Sequence, residues 1–168
     1  MNCPYKRMEA GQMINIEIPG WENFSIENIV LDLNGTIATD GKISAEVKER
    51  IKSLSQKIKV YILTADTQGT ASEEGKDIGI ELVKIPAEDS KNKKFEFLKN
   101  LNLERTIAIG NGNNDQLILR EAALGIAVMG DEGLSSLAMK NADILVKNVL
   151  DALDLLLKPK RLIATLME

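Results

Sequence analysis

From Asn28 onward the apolar and polar positions fall into short runs that alternate between two periods. Ile29-Val30-Leu31, Val60-Tyr61-Ile62-Leu63 and Ile107-Ala108-Ile109 are unbroken apolar runs of strand length, the pattern of strands covered on both faces. Between them the apolar positions recur at helical spacing. The pattern predicts a strand up to residue 33, a helix over 44–57, a strand from 59, a helix across 71–78, a strand over 81–85 and a helix over 90–101 capped by Ser90. A strand over 106–110, a helix over 114–124, a strand over 126–129, a helix over 134–141, a strand over 144–146 and a helix over 149–157 follow, with a basic helical tail after Pro159. Upstream, residues 1–12 show no periodicity and are expected to be flexible, and Met13 reads as the more natural start. Residues 13–18 alternate at period two and stop at Pro19-Gly20, which predicts an appended strand and turn over 13–27. Alternating units of this length predict an α/β fold, a three-layer Rossmann-like sandwich with a mainly parallel sheet. The expected organisation is one domain over 1–168, with its core at 28–157 and a tail at 158–168.

Composition narrows the function classes more than the fold. Hydrophobic residues at 44% and charged residues at 27% describe an ordinary globular chain of 168 residues. The 25 acidic residues outnumber the 21 Lys and Arg, which argues against a nucleic-acid partner. No apolar stretch approaches the roughly 20 residues needed to cross a bilayer, and the first residues lack an apolar signal core, so a cytoplasmic location is expected. Cys3 is the only cysteine and histidine is absent, which excludes an intrachain disulfide, a thiolate zinc site and imidazole catalysis. Carboxylates, amides, hydroxyls and lysines are left to carry any chemistry.

Those groups gather where the apolar runs end. Asp32-Leu33-Asn34-Gly35-Thr36 follows the first run, Thr64-Ala65-Asp66 the second, and Gly110-Asn111-Gly112-Asn113-Asn114-Asp115 the third. Ligands of open α/β sheets bind at the carboxyl ends of strands. If these strands are parallel neighbours, Asp32, Thr64, Asn111 and Asp115 converge on one sheet edge, where a metal ion and a phosphate can be held together. Taken singly, each cluster also reads as a polar strand terminus or a turn.

Together, in this order and spacing, the three clusters resemble the motifs of the haloacid dehalogenase superfamily, in the form found in the phosphorylation domain of P-type ATPases. The similarity extends through Ala122-Ala123-Leu124-Gly125-Ile126-Ala127-Val128-Met129-Gly130 and Ala142-Asp143-Ile144, and so covers residues 28–157. The resemblance implies a phosphatase or phosphotransferase in which Asp32 is the nucleophile and forms an aspartyl phosphate. It implies phosphate binding by Leu33, Gly35, Thr36, Thr64, Ala65, Lys94 and Asn114. Lys94 shares an apolar helix face with Phe97, Leu98 and Leu101, and Lys93 is the alternative phosphate-binding lysine. Mg²⁺ is the implied cofactor, with ligands from Asp32, the Asn34 backbone carbonyl, Asn111 and Asp115.

Two residues depart from that pattern. Asn111 stands where the family has a metal-binding aspartate, which predicts weak Mg²⁺ binding. Asn34 stands where superfamily phosphatases carry a general acid/base aspartate, and an amide cannot transfer that proton; slow turnover is expected, with poor leaving groups disfavoured most. The intervals from Thr36 to Thr64 and from Thr64 to Lys94 are too short for a cap domain, and the nucleotide-binding and membrane domains of the pumps are absent from this chain. An open site implies a large phosphorylated substrate such as a phosphoprotein, or a homo-oligomer whose neighbour covers it. The competing class is a noncatalytic phosphate- or protein-binding regulatory domain, in which Asn34 and Asn111 mark lost chemistry.

Overall fold

A computed structural model of the chain describes residues 12–65, 73–75 and 78–168. Six strands form one wholly parallel sheet: β3 (Asn28–Asp32), β4 (Lys59–Thr64), β5 (Glu81–Lys84), β6 (Thr106–Gly110), β7 (Leu124–Val128) and β8 (Ile144–Val146), in the order β5-β4-β3-β6-β7-β8. The helices are α1 (Ala45–Ser55), α2 (Ser90–Lys99), α3 (Gln116–Glu121), α4 (Ser136–Asn141), α5 (Val149–Leu157) and α6 (Pro159–Leu166). The strand order reverses at β3, which pairs with β4 on one side and β6 on the other. Asp32, the last residue of β3, therefore sits at the topological switch point, where an open parallel sheet leaves a crevice.

Side-chain alternation along β3 decides what each face of the sheet carries. Ile29 and Leu31 pack with α1, α5 and α6 through Val47, Ile51, Leu54, Leu153, Leu156 and Leu162. Val30 points the other way, into a cluster with Leu98 of α2, Ile118 and Leu119 of α3 and Ala138 of α4. This is the expected three-layer sandwich. Asp32 lies two residues after Val30 and so shares the α2 face, and Lys94, one turn before the buried Leu98, is carried to the same place. The basic tail is α6, and its Lys158 and Arg161 meet Asp154 of α5, which also accepts from Arg50 of α1.

Several boundaries differ from the sequence reading. The predicted lone strand near the N-terminus is half of an antiparallel hairpin, β1 (Ile14–Glu17) with β2 (Asn23–Ile26); the second strand alternates polar and apolar over only four residues, too short a run to stand out along the chain. The long helix expected over 114–124 is a single tight turn, Asn113–Asp115, followed by the short α3. Ser90 is not the cap of α2: Asp89 occupies the cap position at φ +58°, without a side-chain cap, and Ser90 is the first helical residue. Of the helix expected over 71–78, only 73–75 falls in a helical span among the described residues, and Asp66 lies outside them. Residues 39–42 form a tight hairpin, with Asp40 and Gly41 at positive φ.

The small-residue run at 122–130 has a packing reason. A Cβ on Gly125 would lie 2.0 Å from the Leu119 carbonyl oxygen, so β7 can approach the end of α3 only with glycine there. Gly125 also exchanges hydrogen bonds with Asp143, its N–H donating to Asp143 Oδ2 at 2.8 Å and its carbonyl accepting from the Asp143 N–H at 2.8 Å. Burial raises the Asp143 carboxyl above its ordinary pKa, partly opposed by that backbone N–H. Gly125→Ala is expected to destabilise the fold by about 3 kcal/mol, read by urea denaturation, because the clash is with backbone rather than a movable side chain.

Candidate active site

The turn that follows β3 is built on one carbonyl. Leu33 O accepts from the N–H groups of Thr36 (3.3 Å), Ile37 (3.1 Å) and Ala38 (2.9 Å), while Gly35 N donates to Ala38 O at 2.9 Å. Gly35 sits at φ +76°, and a Cβ there would lie 2.5 Å from Asn111 Nδ2, so both conformation and space demand glycine. The N–H groups of Leu33, Gly35 and Thr36, three of the residues expected to bind phosphate, are thus engaged within the fold, that of Leu33 with Leu63 O at 3.2 Å. Asn34 is exposed at the tip of this turn.

Asp32 and Asp115 share one cation. Lys94 Nζ lies 2.5 Å from Asp32 Oδ1 and 2.7 Å from Asp115 Oδ1, and its third contact is Asn114 Oδ1 at 3.5 Å. Lys94 and Asp115 are fully buried and Asp32 nearly so. Lys93, the alternative, is half-exposed and paired with Glu96 instead. Two carboxylates against one ammonium leave a net negative charge in a dry place. Burial first, and then the Asp115 charge, push the Asp32 carboxyl up to about 7, against the opposing pull of Lys94 and Thr36. Burial also works against the Lys94 ammonium, but the two carboxylates outweigh it and hold Lys94 above the ordinary lysine value.

The glycine-rich turn after β6 supplies the rest. Asp115 Oδ2 accepts from the N–H groups of Asn111 (3.0 Å) and Gly112 (2.9 Å), so three of its roughly four lone-pair positions are taken by the loop and Lys94. Asp115 was expected among the metal ligands; in this arrangement it anchors the lysine and the loop. Thr36 Oγ1 lies 3.0 Å from Asp32 Oδ2 and 3.0 Å from Asn111 Oδ1. A hydroxyl has one proton, so one of these two acceptors is left facing oxygen. That is the geometry a hard cation relieves, and the ligands beside it, the Asp32 carboxylate and the Asn111 amide oxygen, are both oxygen, as Mg²⁺ prefers. The residues fit such an ion with one formal charge fewer than two carboxylates would give.

Thr64 and Ala65 close the far side of the edge. Asp32 pairs with Leu63, so Thr64 is the next residue along β4; it is buried, and its carbonyl accepts from Ile85 N at 2.8 Å. Asn114 Nδ2 donates to Ser90 Oγ at 3.3 Å, tying the loop to the start of α2. Ser135 escaped the sequence reading: it caps α4 by accepting from Leu137 and Ala138, its hydroxyl bonds Asn113 Oδ1, and its N–H donates to Asn111 O at 2.8 Å. The available signal was a serine two residues inside a helix predicted from 134, which marks an N-cap.

Fold and site together point to one class: the chain has the fold of solved HAD-family phosphatases, without a cap domain among the described residues, and is similar in sequence to a soluble P-type ATPase-like phosphatase and to copper-transporting P-type ATPases. The soluble P-type ATPase-like phosphatase of Methanocaldococcus jannaschii is 31% identical over 133 residues, covering 77% of this chain and 49% of that protein, so the chain spans about half of its length. An uncharacterised protein of the same organism is 54% identical over 76 residues, 43% of this chain and 82% of that protein. In structure, the 3-deoxy-D-manno-octulosonate 8-phosphate phosphatase of Moraxella catarrhalis, solved with magnesium, phosphate and KDO, superposes with a TM-score of 0.67 at 20% identity over 83% of this chain and 92% of that one. No family model matches the chain. No helix among the described residues is long and apolar enough to cross a membrane.

Proposed function

We propose that this chain is a Mg²⁺-dependent phosphohydrolase or phosphotransferase that works through an aspartyl phosphate on Asp32. The observation that carries the reading is the buried bridge of Lys94 between Asp32 and Asp115 at the switch point of the sheet. A carboxylate placed there attacks phosphorus as the bond to the leaving group breaks. Lys94 holds the attacking carboxylate and turns its weakest contact, the one to Asn114 at 3.5 Å, toward a phosphoryl oxygen. Thr36 orients Asp32 Oδ2, and Thr64 offers a hydroxyl from the neighbouring strand. Mg²⁺ would be held by Asp32, the Asn34 carbonyl and Asn111, with Asp115 directly or through a water, and would supply charge neutralisation for a phosphate entering a site that is itself negative.

Asn34 sets the rate. It is exposed and aprotic as a catalyst, so the leaving group takes its proton from solvent and no side chain at that position activates water. The cost is about 10² to 10⁴ in rate, smallest for acyl and aryl phosphates. With no cap among the described residues, the site suits a large phosphorylated substrate such as a phosphoprotein, or a homo-oligomer whose neighbour covers it, in the cytoplasm. The test is acid-quenched mass spectrometry after mixing with acetyl phosphate and Mg²⁺, beside a phosphate-release assay. An adduct on Asp32 that outlives its formation is expected, and Asn34→Asp is expected to raise steady-state release by about tenfold or more. A wild type without adduct, also inert to beryllium fluoride, together with an inert Asn34→Asp variant, favours the noncatalytic reading to which Asn34 and Asn111 point.

The metal part has its own measurement. Asn111→Asp returns a charged oxygen to the site and is expected to tighten Mg²⁺ by about tenfold in calorimetric titration, whereas Asp115→Asn frees the Asn111 loop and weakens it. Unchanged affinity in both variants places the ion elsewhere.

A further inference from the structure

Asn111 does something that the aspartate of the family pattern cannot. Its Nδ2 donates to the Gly133 carbonyl at 3.1 Å while its Oδ1 faces Thr36 Oγ1 at 3.0 Å. The first bond requires a donor; a carboxylate in the same place would set oxygen against oxygen with no proton between them. Gly133 closes a tight turn, donating its N–H to Gly130 O at 3.0 Å and standing at φ +88°. The other end of that turn rests on the turn bearing the nucleophile, since a Cβ on Gly130 would come within 3.3 Å of the Gly35 carbonyl oxygen. Asn111 itself is gripped from the same segment, its carbonyl accepting from Ser135 N at 2.8 Å.

We propose that Asn111 is a positioning residue whose amide latches the 130–133 turn to the loop after β6, where that turn packs against the 33–38 turn that follows Asp32. The asparagine exchanges one unit of charge toward a cation for a hydrogen bond that holds the 130–133 turn in place beside the nucleophile. The kinetic consequence rests on the proposed reaction at Asp32; the latch does not, because it is a matter of hydrogen-bond polarity alone. Asn111→Asp is isosteric and removes only the donor, adding a charge. Asn111→Ala removes the donor and adds none.

The test is amide hydrogen exchange of the full chain in EDTA at neutral pH, followed residue by residue by NMR for wild type and both variants. The Gly133 and Ser135 amides are expected to exchange about tenfold or more faster in both variants, with the amides of β6 and β7 unchanged. In Mg²⁺ with an aryl phosphate, loosening of the nucleophile turn is expected to raise KM for the ester by about threefold in Asn111→Asp even as the metal binds more tightly. Equal Gly133 exchange in all three proteins overturns the latch. So does acceleration in Asn111→Asp alone, which would be charge repulsion, and so does a uniform acceleration that includes β6 and β7. A wild type that forms no Asp32 adduct but shows the protected Gly133 amide, lost in both variants, supports the latch and counts only against the proposed activity.

Discussion

Lys94→Met is expected to cost about 3–5 kcal/mol of folding stability and to abolish the Asp32 adduct. Methionine fills much of the volume, so the loss is electrostatic: Asp32 and Asp115 would be left buried with no cation between them. The two carboxylates can escape by sharing a proton, so the penalty is expected to be larger at pH 8 than at pH 5. Urea denaturation at the two pH values measures the first effect and acid-quenched mass spectrometry the second. A Lys94→Met protein as stable as wild type at pH 8 would show that the bridge is not what holds the two acidic residues in place. Lys93→Met is the control, because that ammonium is half-exposed and paired with Glu96 on its own helix.

Asp32→Asn is expected to move stability and chemistry in opposite directions. It removes the nucleophile, so neither adduct nor turnover should remain. It also removes one of two like charges around a single buried ammonium, leaving Lys94 and Asp115 as a balanced pair. The folded-state pKa of Asp32, about 7, is raised above the ordinary 3.8 by burial and by Asp115. A group raised on folding contributes stability that is complete below its unfolded pKa and is lost as pH rises through its folded value. In metal-free solution the wild type should therefore lose stability between about pH 4 and pH 7, on the order of 3 kcal/mol, and the neutral asparagine variant should not. Melting temperatures of both proteins in EDTA across that range test it. Parallel curves would mean that Asp32 titrates at its ordinary value.

The legible part of this chain was periodic. Three apolar runs, each ended by a polar cluster, were enough to place Asp32, Thr64 and Asn111 at the ends of β3, β4 and β6, because buried parallel strands must be apolar throughout and can turn polar only where they emerge. Lys94 was legible through Leu98, since residues four apart share a helix face, although two other lysines lie within three positions of it. The hairpin strand β2 was not, and neither was the break between the Asn113–Asp115 turn and α3. Both are short: β2 alternates over only four residues and the turn spans three, too few for periodicity to decide between strand, turn and helix.

By itself, then, the order of residues determined the layer architecture, the sheet edge that carries the chemistry, the absence of an intrachain disulfide and of imidazole chemistry, and the two amide departures at Asn34 and Asn111. Local periodicity and residue chemistry suffice for these. Tertiary structure alone decided that one ammonium serves Asp32 and Asp115 together, that Asp115 spends its oxygens on Lys94 and on two backbone N–H groups, and that the Asn111 amide reaches Gly133. Those contacts join residues 21 to 62 positions apart or lie within a loop whose shape they impose. Their sign and partner depend on distances of about 3 Å between elements brought together only when the sheet and its helices pack, and no pattern along the chain encodes a distance of that kind.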